Sequence, residues 1–108
     1  MNKYHARRTY SSLCGREFSS LAEAVRGEEL ALLEKAGEIT DLEYQVKFVL
    51  SQVPRVTITV DFAYTERGER IYSDVKGVLT RDFRTKMCWV QEKFGIQIRL
   101  VSYEEVLR

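Results

Sequence analysis

Residues 55–64 read RVTITVDFAY, and residues 71–77 read IYSDVKG. Every second residue of the first stretch is apolar, which predicts a strand with one apolar face. The residues of that face are Val56, Ile58, Val60, Phe62 and Tyr64. The second stretch alternates in the same way and a glycine lies between the two, so together they predict a β-hairpin.

The register of this hairpin brings two acids together. Apolar faces of paired strands must point the same way, and with Thr65 opposite Arg70 around a four-residue loop, Asp61 lies directly across from Asp74. Carboxylates opposed across a ladder repel each other, so the pair requires a cation. Lys76 supplies part of that charge. Mg²⁺ or Mn²⁺ would supply more, because Mg²⁺ binds one or two carboxylates together with water and phosphate oxygens.

This arrangement suits phosphodiester hydrolysis. A metal polarises the phosphoryl oxygen and lowers the pKa of a bound water, while a lysine two residues along the strand stabilises the developing charge. The alternative is that Asp61 and Asp74 lie on the solvated face of a half-exposed sheet, where charged residues are ordinary.

The rest of the chain predicts an α/β (α+β) fold in the order α-β-β-β-α-β, with a central mixed sheet flanked by helices. The first helix begins at the cap Ser20 and ends at Gly37, and its apolar stripe consists of Phe18, Leu21, Ala22, Val25, Leu32, Leu33 and Ala36. The remaining elements are a strand at 44–50, a helix from the cap Thr80 to Gly95, and a strand at 96–101 followed by a tail from Ser102.

Length and charge predict one domain, at residues 17–108, preceded by a basic arm at residues 1–16. The arm has Lys3, Arg7, Arg8 and Arg16 without any acid, although the net charge of the chain is only +1. Two isolated cysteines and one histidine are too few for a structural zinc site. No apolar run is long enough for a membrane span, so the chain is expected to be cytoplasmic.

The segments TVDFAY (59–64) and SDVKG (73–77) resemble the D…(D/E)xK signature of restriction-endonuclease-like nucleases. Together with NKYHARRT, FSSLAEA, LLEKAGEI and LEYQVKF, they resemble a phage- and prophage-encoded family of the PD-(D/E)xK superfamily, formerly of unknown function and related to junction-resolving endonucleases. The resemblance implies the nuclease fold, divalent-metal chemistry and a role in phage DNA recombination. It makes Glu23 the helix acid, Asp61 and Asp74 the metal ligands with the Val75 carbonyl, and Lys76 the catalytic lysine.

Three further residues have two interpretations each. Glu23 also completes an S-x-x-E capping box with Ser20, in which its carboxylate would bond the cap's own N–H. Glu29 falls on the apolar stripe of the first helix, so it is an alternative helix acid or a partner of Arg26. Gln45 points away from the apolar face of its strand, towards the site or towards solvent.

The expected partner is DNA. Lys3, Arg7 and Arg8 of the arm and Lys86 of the second helix are candidate phosphate contacts, with surface solvation as the alternative. We expect a Mg²⁺-dependent endonuclease that prefers branched DNA, acting as a two-fold homodimer because cutting both strands requires two sites. The alternatives are a non-catalytic DNA-binding or recombination-accessory protein on the same fold, and an RNA nuclease.

Overall fold

The computed structural model describes residues 7–108 as a mixed α+β domain. Its elements are β1 (Thr9–Ser11), β2 (Arg16–Phe18), α1 (Leu21–Lys35), β3 (Thr40–Ser51), β4 (Val56–Glu66), β5 (Glu69–Lys76), α2 (Arg81–Phe94), β6 (Arg99–Ser102) and α3 (Tyr103–Leu107). From α1 to β6 the order is α-β-β-β-α-β, as predicted.

The main sheet has the strand order β3-β4-β5-β6, antiparallel except for the parallel pair β5 and β6. Two hydrophobic cores flank it. The α1 core consists of Phe18, Ala22, Ala24, Leu30, Ile39, Phe62, Tyr64, Ile71 and Val75, and the α2 core of Leu50, Ile58, Val60, Val90 and Ile98. On β5, Ile71 belongs to the α1 core and its neighbour Tyr72 packs against the α2 core. Since neighbouring strand residues point to opposite faces, the helices cover opposite faces of a mixed sheet, which confirms the predicted fold class.

The hairpin between β4 and β5 has the predicted register but a tighter turn. Thr65 pairs with Arg70, and the ladder continues to Glu66 and Glu69. The predicted four-residue loop is therefore wrong, because only Arg67 and Gly68 connect the strands. Their φ angles of 52° and 79° are those of a turn whose twist matches the flanking strands.

The apolar residues of β4 do not share one face, contrary to the prediction. Ile58 and Val60 belong to the α2 core, whereas Phe62 and Tyr64 belong to the α1 core. The change from one core to the other occurs at Asp61. On the neighbouring strand β3, Gln45 lies at the level of Asp61, between Tyr44 and Val46, and its φ is 53°. A left-handed residue breaks the alternation of its own strand, and on β3 Tyr44 packs against the α1 core whereas Val46 packs against the α2 core.

Helix α1 has the predicted ends but buries a different face. Ser20 caps it by accepting from the N–H of Glu23, and Gly37 follows its end with a φ of 79°. The predicted stripe is partly right: Phe18 and Ala22 are buried, but Leu21, Leu32, Leu33 and Ala36 are exposed, and the helix also buries Glu23, Ala24, Gly27 and Leu30. At Gly27 the ring of Phe18 from β2 lies so close to the helix that a Cβ would be 2.7 Å from its Cζ, so this position requires glycine.

Part of the expected basic arm is a β-hairpin. Strands β1 and β2 pair antiparallel, and the expected boundary between residues 16 and 17 falls inside β2. Ser11 Oγ donates to Glu28 of α1 at 2.5 Å, which attaches the hairpin to the helix. Lys3 lies outside the described residues.

The second half of the chain follows the prediction in its order of elements, but the last strand begins at Arg99 and not at residue 96 as predicted. Helix α2 is capped by Thr80 and ends at Gly95. Beyond β6, the expected tail is the short helix α3, which begins with a capping box between Ser102 and Glu105. Among residues 7–108, no helix has the length and apolarity needed to cross a membrane.

Two buried serines provide a stability test. Ser73 is 0% exposed and its Oγ has no hydrogen-bond partner among the described residues, whereas Ser11 is 1% exposed and bonds both Glu28 and the N–H of Cys14. Ser73→Ala should keep or raise the free energy of unfolding, by up to about 1 kcal/mol, while Ser11→Ala should lower it by about 1–2 kcal/mol. Chemical denaturation measures both, and equal losses would contradict this account of Ser73.

Candidate active site

The centre of the site is the point where β4 and β5 separate. Their ladder runs from Glu66 and Glu69 to Phe62 and Ser73, and Asp61 and Asp74 are the next positions in that register. Here each carboxylate accepts a backbone N–H of the opposite strand in place of a ladder hydrogen bond. The Asp61 N–H donates to Asp74 Oδ1 at 3.0 Å, and the Val75 N–H donates to Asp61 Oδ2 at 2.8 Å. These bonds hold both carboxylates in place and satisfy two N–H groups that the ladder leaves without partners.

The third acid comes from helix α1. Glu23 is 5% exposed, and its carboxylate accepts from Ser19 Oγ at 2.6 Å and from Gln45 Nε2 at 3.1 Å. Gln45 Nε2 also lies 3.4 Å from Asp61 Oδ1. The capping box is therefore incomplete. Ser20 caps the helix, but the Glu23 carboxylate accepts from Ser19 and Gln45 and not from the N–H of Ser20.

Lys76 lies beside the aspartates. Its Nζ is 3.2 Å from Asp74 Oδ2 and 3.6 Å from the centre of the Phe83 ring. The ring of α2 thus restricts the ammonium group while its positive charge remains next to the carboxylates.

These residues line a cleft of about 270 Å³. Its lining consists of Ser19, Glu23, Thr59, Asp61, Asp74, Val75, Lys76, Gly77, Val78 and Tyr103. Sequence reasoning missed Ser19 and Tyr103. A signal for Tyr103 was present, since Ser102 and Glu105 have the spacing of a capping box and Tyr103 is the first residue after the cap.

Burial sets the protonation of the three acids. Burial first, and the nearby Asp61 carboxylate second, raise the pKa of Glu23 from 4.5 to about 7. Burial and then the charge of Asp74 raise the pKa of Asp61 from 3.8 to about 7. Burial also raises the pKa of Asp74, against the lowering effect of Lys76. Without further positive charge, the cluster therefore retains protons near neutral pH.

The donor set fits a hard divalent cation. Asp61 Oδ1 and Asp74 Oδ2 are the oxygens that do not accept a backbone N–H, and both residues line the cleft. Among the described residues, no group of three or more Asp, Glu, His or Cys side chains forms a ready-made metal site. Mg²⁺ does not require one, because it usually takes one or two carboxylates and fills its other positions with water and phosphate. The Val75 carbonyl as a third ligand stays a prediction.

Other candidate residues lie elsewhere. Glu29 is not on a buried stripe: it is exposed, with its carboxylate 3.5 Å from Arg26. Arg8 pairs with Glu17 at 2.5 Å across the β1–β2 hairpin, and Arg7 is exposed. Lys86 pairs with Asp82 at 3.2 Å along α2 and does not line the cleft.

The raised pKa values predict how stability depends on pH. Glu23 and Asp61 bind protons more tightly in the folded chain than in the unfolded chain, so without divalent metal their contribution to stability falls as pH rises from about 4 to about 7. Glu23→Gln should reduce the loss of unfolding free energy across this pH range by on the order of 2 kcal/mol. Urea unfolding in EDTA across that range measures it, with Glu38→Gln at an exposed position as the control. An unchanged slope in Glu23→Gln would refute the raised pKa of Glu23.

Comparison with known proteins identifies a family without assigning an activity. No curated protein and no solved structure matches the chain. One family model matches residues 1–106, under the description "Protein of unknown function (DUF1064)". Since this match covers nearly the whole chain, the protein belongs to the DUF1064 family.

Proposed function

We propose that this protein is a Mg²⁺-dependent DNA endonuclease of the PD-(D/E)xK type. The observation that carries the proposal is the junction of β4 and β5, where the partly buried Asp61 and the buried Asp74 fix each other's strands and each retain an oxygen towards a cleft that also contains Glu23 and Lys76. A structural role alone does not account for three clustered acids with raised pKa values, since apolar residues would fill the space at lower cost.

Each residue has a definite part in phosphodiester hydrolysis. Asp61 and Asp74 would hold Mg²⁺ or Mn²⁺, which supplies Lewis acidity and a more acidic bound water. Lys76, restrained by Asp74 and the Phe83 ring, stabilises negative charge that develops on the phosphate. Glu23 is linked to Asp61 through the Gln45 amide, and its carboxylate lines the cleft, where it can act as a general base.

The proposed substrate is DNA with branches, in the recombination or processing of phage DNA. This part rests on the resemblance to junction-resolving nucleases, and on a domain that offers little surface for reading base sequence. A two-fold homodimer would bring two clefts to one branch. Trp89 and Phe94, which are 38% and 42% exposed on α2, are available for such a contact.

Metal binding is the first test. At a Mn²⁺ concentration about 100 times its Kd, mass action should stabilise the wild type by about 2.7 kcal/mol and raise Tm by roughly 10 °C. Asp74→Asn keeps an acceptor for the Asp61 N–H but removes the charge, so it should lose this gain, whereas Glu38→Gln should keep it. A wild-type Tm that does not change at saturating Mn²⁺ would contradict the proposed metal site.

Cleavage is the second test. Lys76→Met should still bind Mn²⁺, because the aspartates remain, but should cut DNA at least about 10²-fold more slowly, the loss typical of removing one electrostatic stabiliser. Lys35→Met, at the exposed end of α1, is the matched control. Near-normal cleavage by Lys76→Met would refute the role of the lysine.

The choice of substrates separates the alternatives. Linear, nicked and four-way DNA and a matched RNA are incubated with and without Mg²⁺, and light scattering measures the oligomeric state. Binding without cleavage would favour a recombination-accessory protein, and preferred cutting of RNA would favour an RNA nuclease. Equal cutting of linear and four-way DNA, or a strict monomer, would reject the branched-DNA dimer.

A further inference from the structure

Gln45 has an unusual backbone for its residue type. Its φ is 53°, in the left-handed region that residues other than glycine, asparagine and aspartate rarely adopt. It faces Asp61 across β3 and β4, at the point where the apolar residues of β4 change from one core to the other. Residues in this conformation persist only when their surroundings hold them there, and they cluster at functional sites.

The side chain of Gln45 links α1 to β4, where the carboxylates of Glu23 and Asp61 also lie within hydrogen-bonding reach of each other. Its Nε2 is 3.1 Å from Glu23 Oε2 on α1 and 3.4 Å from Asp61 Oδ1 on β4. An amide nitrogen has two N–H donors, one for each carboxylate. Glu23 is also held at its other oxygen by Ser19, at 2.6 Å, so its carboxylate is fixed on both sides.

We propose that Gln45 is a positioning residue that sets the carboxylate of Glu23 against Asp61, acting on the substrate through Glu23 and not by contact. This inference rests on the proposed function and deepens it. Without the amide, the neighbouring carboxylates of Glu23 and Asp61 would lose the donor that they share, and Ser19 would be the remaining described side chain that donates to Glu23. The left-handed backbone turns the side chain out of the strand alternation and into the gap between α1 and β4.

The bridge can be tested without any activity. In ¹⁵N-edited NMR of the metal-free full chain, the two side-chain N–H protons of Gln45 should differ in chemical shift from those of a solvated amide and should move towards them when Glu23→Gln or Asp61→Asn is introduced. The side chain of Gln52, in the exposed β3–β4 turn, is the reference for a solvated amide. A Gln45 amide that behaves like that of Gln52 and ignores both substitutions would overturn the inference.

The positioning role is tested by a double-mutant cycle. Gln45→Met has nearly the same length without donors, so it should lower kcat about tenfold or more with KM nearly unchanged, and Gln45→Met with Glu23→Gln should be no slower than Glu23→Gln alone. Gln52→Met is the control. Additive losses, or wild-type kcat in Gln45→Met, would overturn the inference. If the wild type cuts none of the substrates, the proposed function fails and this positioning role fails with it, while the NMR measurement still decides whether the bridge exists.

Comparing alanine and glycine at position 45 separates the effect of the strained backbone on Tm from the effect of the side-chain amide on kcat. Gln45→Ala and Gln45→Gly remove the same amide, but only glycine adopts the left-handed conformation without steric cost. Gln45→Gly should therefore melt about 4 °C or more above Gln45→Ala, while both lose the same fraction of kcat. A Gln45→Gly Tm at or below that of Gln45→Ala would contradict the strained backbone at this position. A kcat that rises and falls with Tm in these variants would overturn the inference, because Gln45 would then be a structural residue only.

Discussion

The site depends on two hydrogen bonds that replace the ladder between β4 and β5. Where the strands separate, Asp74 accepts the N–H of Asp61, and Asp61 accepts the N–H of Val75. A buried N–H without a partner is costly, so each carboxylate stabilises the other's strand. Each acid uses one oxygen in this way and retains the other. The opening of the sheet and the placement of the acids are therefore one structural feature.

The surrounding fold is arranged about this opening. On the far side of each separated strand, β3 continues to pair with β4, and β6 pairs in parallel with β5 from Ser73 to Lys76. Helix α1 brings Glu23 to one side of the cleft, and α2 brings the Phe83 ring against Lys76 on the other. Burial by these elements raises the pKa values of the acids, so the metal-free site holds protons that a divalent cation would displace.

Periodicity and register made much of this predictable. Alternation and the turn at Gly68 predicted the hairpin and therefore the approach of Asp61 and Asp74, because register follows from pairing apolar faces. The caps Ser20 and Thr80 predicted where both long helices begin. Periodicity failed where tertiary contacts decided: the ring of Phe18 packs tightly against Gly27 of α1, and the left-handed Gln45 reverses the faces of β3, which no alternation pattern reveals.

The central claim is that Asp61 and Asp74 together bind a divalent metal. The most direct measurement is anomalous diffraction from crystals grown with Mn²⁺. The account predicts a peak about 2.1 Å from both Asp61 Oδ1 and Asp74 Oδ2, the oxygens left without a backbone donor, with Lys76 Nζ displaced from Asp74. A cleft without a peak at saturating Mn²⁺, with the carboxylates still bonded only to the strands and Lys76, would contradict it.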